Sequence, residues 1–106
     1  MFLHIVLMAL TPQADDAFLA RVQTHCQRVR RECPGVLGYE FRTNEASRSQ
    51  GLDYATVSMF ESAAAHDAYQ VSAAHVAMKE DMAPYIERLV VFDGSVAVTG
   101  TSTLQG

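Results

Sequence analysis

The chain of 106 residues predicts an α+β fold, a four-stranded antiparallel sheet carrying its helices on one face. Three observations predict it. Apolar or alternating runs mark four strands, helical segments with capping signals lie between them, and the order strand, helix, strand, strand, helix, strand brings both crossovers to one side of the sheet. The length fits one domain, because hydrophobic cores rarely divide below about 250 residues. With 49% hydrophobic and 19% charged residues, the chain has the apolar material to fold rather than stay disordered.

Phe2 to Leu10 is almost uniformly apolar, the pattern of a strand buried on both faces, and Thr11-Pro12 stops it. Thr11 is then the expected N-cap, with Pro12 at the first helical position and Asp15 and Asp16 complementing the helix dipole. Phe18, Val22, Cys26, Val29 and Cys33 recur at helical steps and form the inner stripe of that helix, which Pro34-Gly35 ends. Val36 to Thr43 alternates as a second strand, with Leu37, Tyr39 and Phe41 on one face and Gly38, Glu40 and Arg42 on the other. The polar stretch from Asn44 to Asp53 is the longest loop. Tyr54 to Glu61 is the third strand, with Ala55, Val57 and Met59 on one face and Tyr54, Thr56, Ser58 and Phe60 on the other. Ser62 caps a helix over Ala63 to Gln70, Val71-Ser72 breaks it, and a second segment runs from Ala73 to Met82 before Pro84. Arg88 to Asp93 is the last clear strand, ended by Gly94. The domain is thus expected over residues 1–94. Residues 95–106 read as an extension, a weak strand over Ser95 to Val98 followed by a frayed end.

This order of elements is that of the ferredoxin-like fold, which leaves the second sheet face bare. The first and last strands are apolar on both sides, so that face in water would expose a larger patch than soluble monomers usually tolerate. A homodimer through the open face, sheet on sheet, is the simplest cover. A net charge of -4 and a single lysine, Lys79, deny the chain the basic face that nucleic acid requires. Its longest apolar run is far below the roughly 20 residues that span a bilayer. No Lys or Arg precedes that run and His4 interrupts it, so it is not expected to act as a signal peptide. Cys26 and Cys33 lie about 10 Å apart along one helix at about 1.5 Å per residue and cannot bridge. Two free thiols suit a reducing cytoplasm.

Phe2-Leu3-His4-Ile5-Val6-Leu7, Pro34-Gly35-Val36, Asp53-Tyr54-Ala55 leading to Phe60-Glu61-Ser62, Ala68-Tyr69, Ala74-His75-Val76 and Arg88-Leu89-Val90-Val91-Phe92-Asp93 together resemble the stress-responsive A/B barrel domain, over about residues 1–94. The resemblance implies a ferredoxin-like subunit whose sheet pairs with a second to make a dimeric α+β barrel. A polyketide cyclase of that family closes its product by aldol condensation with a tyrosine and a histidine six residues apart, the spacing of Tyr69 and His75. The family's first-strand histidine corresponds to His4, and the cyclase's third-strand histidine falls at Tyr54. Where the family commonly carries His-Pro before the Ala-His step, this chain has Ser72-Ala73, and Ser72 can terminate one helix and cap the next.

On an unbroken helix, residues six apart point about 120° away from each other, so only a break near Ser72 lets Tyr69 and His75 face one cavity. The expected catalytic pair is then His75 as general base and Tyr69 as the hydroxyl that polarises a carbonyl oxygen. His4, Tyr54, Thr56 and Met78 are the expected ligand-binding residues, the third-strand hydroxyls orienting a polar end of the ligand. Tyr54 serves equally as dimer-interface filler, and His75 as a partly buried histidine bonded to backbone. His25 and His66 read as solvated helix residues. His4 with His75 has no adjacent ligand pair at recognisable spacing, so neither metal nor cofactor is expected. Two functions stay open: a cofactor-independent, cyclase-like enzyme acting on a carbonyl-rich small molecule, or a non-catalytic, stress-associated or ligand-carrying dimer.

Overall fold

A computed structural model describes residues 1–97. Strands β1 (Phe2–Leu10), β2 (Val36–Thr43), β3 (Tyr54–Phe60) and β4 (Ile86–Ser95) form one sheet in the order β2-β3-β1-β4, every neighbouring pair antiparallel. Helix α1 (Asp16–Glu32) makes the first crossover. The second is split into α2 (Ala63–Gln70) and α3 (Ala73–Met82), followed by a 3-10 turn over Ala83–Tyr85. The fold is therefore the expected ferredoxin-like α+β arrangement. Among the described residues, no helix is long and apolar enough to cross a membrane.

Register assigns the two faces. Phe2, His4, Val6 and Met8 of β1 lie opposite Phe60, Ser58, Thr56 and Tyr54 of β3, and this set faces the helices. Leu3, Ile5 and Leu7, opposite Met59, Val57 and Ala55, occupy the other face. The hydroxyl-bearing side of β3 is thus the inner side. The core beneath α1 is tight: Phe18, Val22, Cys26 and Val29 are each 0% exposed. Burial pushes the Cys26 thiol up to about 11, so it behaves as a small apolar side chain. Both cysteines are free and buried.

Four local expectations are corrected. The cap of α1 is Asp15, whose carboxylate accepts the Phe18 N–H at 2.9 Å, because Thr11 instead closes a turn through its carbonyl to the Ala14 N–H. Leu37 does not share a face with Tyr39 and Phe41: a bulge between Val36 and Gly38 displaces it, and it is 54% exposed. β3 stops at Phe60, since Glu61 already turns away to donate its N–H to the Gly35 carbonyl. β4 neither starts at Arg88 nor ends at Gly94. Gly94 continues the ladder opposite Leu3, and its missing side chain leaves room for the Phe92 ring, 2.9 Å from where a Cβ would lie. The Val96 N–H extends the pairing to the Met1 carbonyl at 2.8 Å, while Val98 and the segment 100–106 lie outside the described residues.

Candidate functional site

A cleft of about 450 Å³ opens between the inner sheet face and the α2–α3 pair. His4, Thr56, Tyr69, His75 and Met78 all line it, with Leu89 and Val91 at the β4 side. Tyr54 does not. Its ring stacks on Phe41, at a centroid separation of 5.5 Å and an interplanar angle of 2°.

The helix break brings Tyr69 and His75 together. α2 ends at Gln70, and the Ser72 hydroxyl donates to the Tyr69 carbonyl at 2.7 Å while accepting the His75 N–H at 3.2 Å. One side chain therefore closes one helix and caps the next, and the two rings lie 4.4 Å apart instead of on diverging faces. The Cys33 thiol, 3.5 Å from the same hydroxyl, braces the break from the end of α1.

The imidazole of His75 is fixed as well as placed. Its Nδ1–H donates to the Gln70 carbonyl at 2.9 Å, which leaves the lone pair of the neutral ring on Nε2. Burial, followed by the Lys79 and His4 charges, lowers its pKa below the usual histidine range despite that hydrogen bond. Tyr69 is 2% exposed and its hydroxyl lies 2.5 Å from that of Tyr39, which in turn reaches the Met78 sulfur at 3.5 Å. Burial, foremost, raises both phenols, so each is a neutral hydroxyl donor at any physiological pH.

His4 is buried on β1 and donates through Nδ1 to the Asp93 carboxylate on β4. His66, expected to be solvated, is 3% exposed and sits against the His4 ring at a centroid distance of 4.5 Å. Burial and the neighbouring His4 lower its pKa. Donor atoms of His4, His66 and Asp93 all lie within 4.8 Å of one another. His25 is likewise not free in solvent. Its Nε2 meets Asp81 at 2.9 Å, tying α1 to α3, and Asp81 is held below the ordinary carboxylate range by Arg21 and then His25. The sequence assigns no site role to Tyr39, His66 or Asp93, although Asp93 closes the last motif of the resemblance. Two of them carried a periodic signal, since His66 is three residues before Tyr69 on the same helix face and Tyr39 alternates with Phe41.

The sequence matches the model of the Stress responsive A/B Barrel Domain over residues 2–96. No curated protein matches it. Among solved structures, hydroxynitrile lyase from Passiflora edulis superposes with a TM-score of 0.80 at 18% identity, covering 94% of this chain and 96% of that one. A dimeric ferredoxin-like protein of unknown function from Thermobifida fusca gives 0.76 at 20% identity, covering 90% of each chain. A Dabb family protein with a ferredoxin-like fold from Mesorhizobium loti gives 0.73 at 18%, covering 91% and 96%. At these identities the structures share the fold, and the family match places this chain in the stress-responsive A/B barrel domain family.

Proposed function

We propose that this member of the stress-responsive A/B barrel domain family is a cytoplasmic homodimer that binds a carbonyl-rich small molecule in the cleft and removes a proton from the carbon beside a carbonyl, the opening step of a cofactor-independent, cyclase-like reaction. The observation that carries the reading is the Tyr69–His75 pair, held 4.4 Å apart across the capped break. His75, neutral and with its lone pair on Nε2, accepts the proton. The electron pair of the broken C–H bond moves onto the carbonyl oxygen as an enolate, and the Tyr69 hydroxyl stabilises that oxygen by a hydrogen bond. His4 and Thr56 supply polar contacts that orient the ligand, and Met78 supplies an adaptable apolar wall. The lyase named for hydroxynitriles supports the reading only as far as a shared fold does.

Dimerisation through the open sheet face belongs to the same reading. Val57, Val90 and Phe92 on that face are 39%, 48% and 53% exposed in the single chain, and the Thermobifida neighbour is described as dimeric.

Comparing wild type with His75→Ala against a panel of poly-β-keto thioesters and β-diketones tests the chemistry. The expected loss in kcat/KM is at least about 100-fold, with ligand affinity changed far less. A His75→Ala protein that turns over a substrate at the wild-type rate removes the mechanism. A second reading, a ligand carrier without chemistry, is favoured by one detail, the Tyr69 hydroxyl already engaged by Tyr39 at 2.5 Å. Saturable binding that is equal in both proteins, with no turnover in either, selects the carrier.

A further inference from the structure

Three elements converge beside the cleft-lining His4: β1 through His4 itself, α2 through His66 and β4 through Asp93. The His66 ring is enclosed by Phe2, Phe60 and Tyr69 at centroid distances of 4.8, 5.2 and 5.8 Å. At 3% exposure, its Nε2 has no hydrogen-bond partner among the described residues. A phenyl ring would fill that aromatic box without burying a polar nitrogen, so the imidazole calls for a partner of its own. The polar groups within reach are His4 and the carboxylate to which His4 is bonded.

We propose that His4, His66 and Asp93 bind one divalent transition-metal ion of the zinc, cobalt or nickel class. Two imidazole nitrogens and a carboxylate oxygen are a donor set such ions accept, whereas magnesium and calcium seek oxygen ligands throughout. Bonds of about 2.1 Å at a tetrahedral ion hold donors about 3.4 Å apart. The donors here lie within 4.8 Å of one another, so side-chain rotation closes the set, and the ion replaces the hydrogen bond that now joins His4 to Asp93. Three protein ligands leave a fourth position open to water. Because His4 also lines the cleft, an ion held there borders it. The inference shares His4 with the ligand-orienting contacts proposed above but uses neither His75 nor the proton abstraction, so metal binding and turnover are tested separately.

The test is titration of untagged, chelator-treated full-length protein with Co2+, read by visible absorption, and with Zn2+, read by calorimetry. One ion per chain is expected, with the intense cobalt bands of a low-coordinate site. Affinity should fall by at least about 100-fold in His66→Phe, which keeps the aromatic box filled, and in Asp93→Asn, which lies on an exposed strand. His25→Gln, which removes the histidine bonded to Asp81, should leave it unchanged. The proposal is overturned if the wild type binds no tighter than the His66→Phe and Asp93→Asn proteins, or if binding survives both substitutions and is lost in His25→Gln.

Discussion

The stripe of α1 and the strand β4 are both strongly apolar in sequence, yet the molecule treats them in opposite ways. Phe18, Val22, Cys26 and Val29 are 0% exposed, whereas Leu89, Val90, Val91 and Phe92 are 47%, 48%, 47% and 53% exposed. The difference lies in cover. α1 packs on the edge strand β2 and on α3, while β4, the opposite edge, has no helix lying across it. Its residues alternate between two unmet needs. Val90 and Phe92, opposite Leu7 and Ile5, look out from the bare face, and Leu89 and Val91, opposite Met8 and Val6, line the cleft. A hydrophobic sequence sets what a strand would bury; the fold around it decides whether the chain can do so alone.

The largest test of this contrast removes a ring from each side. Phe18→Ala should cost about 3–5 kcal/mol of unfolding free energy, read from the shift of a urea or guanidinium midpoint. A loss below about 1 kcal/mol would mean that the α1 side is not the packed half. Next in size, Phe92→Asp should leave the far-UV circular dichroism of the subunit intact but weaken self-association by about 30-fold or more, the scale of one lost interface anchor, measured by sedimentation across a dilution series. Equal self-association in wild type and variant would break the comparison, because β4 would then need no covering chain.

The smallest effect concerns pH and belongs to the helix-covered side of the sheet. His66 and His75 both titrate below the ordinary histidine value of about 6.5 when folded, so the unfolded chain takes up protons first as acidity rises. Their contribution to stability is complete above pH 6.5 and is lost as pH falls from there through the folded-state values. Asp81, with its pKa lowered from 3.8, holds its contribution into more acidic solution. The melting temperature should therefore decline as pH falls below about 6.5, and His66→Phe should flatten that decline. An unchanged slope in the variant would place the sensitivity elsewhere.

Fold and site were unequally legible in the sequence. Element order and the break at Val71-Ser72 follow from periodicity, capping residues and breakers, all of which act over a few positions. What escaped is set by contacts between distant segments. Leu37 leaves its expected face because a bulge against β3 absorbs one residue, an event that strict alternation does not encode. His66 looks like a surface residue on a short alanine-rich helix, until Phe2 and Phe60 arrive from two strands to bury it. Asp93 reads as the polar end of a strand and becomes a partner of His4 only through the β1–β4 register. Tyr54 fits the hydroxyl row by alternation, but the strand continues past the cleft, and its ring meets Phe41 instead.

The Ser72 hydroxyl, fastened to the Tyr69 carbonyl on one side and the His75 N–H on the other, fixes how many residues separate those two rings. Each helical residue turns the chain by about 100°, so one residue inserted between Tyr69 and His75 would swing the imidazole off the cleft. The loop over 44–53, although Leu52 is buried and Asn44 and Arg88 hydrogen-bond to its backbone, contributes no side chain to the cleft lining. Doubling a flexible loop costs only about 0.6 kcal/mol in closure entropy. Descendants of this sequence can therefore gain or shed residues between β2 and β3 and keep the cleft furnished, whereas a single extra codon beside Ser72 would unseat its histidine.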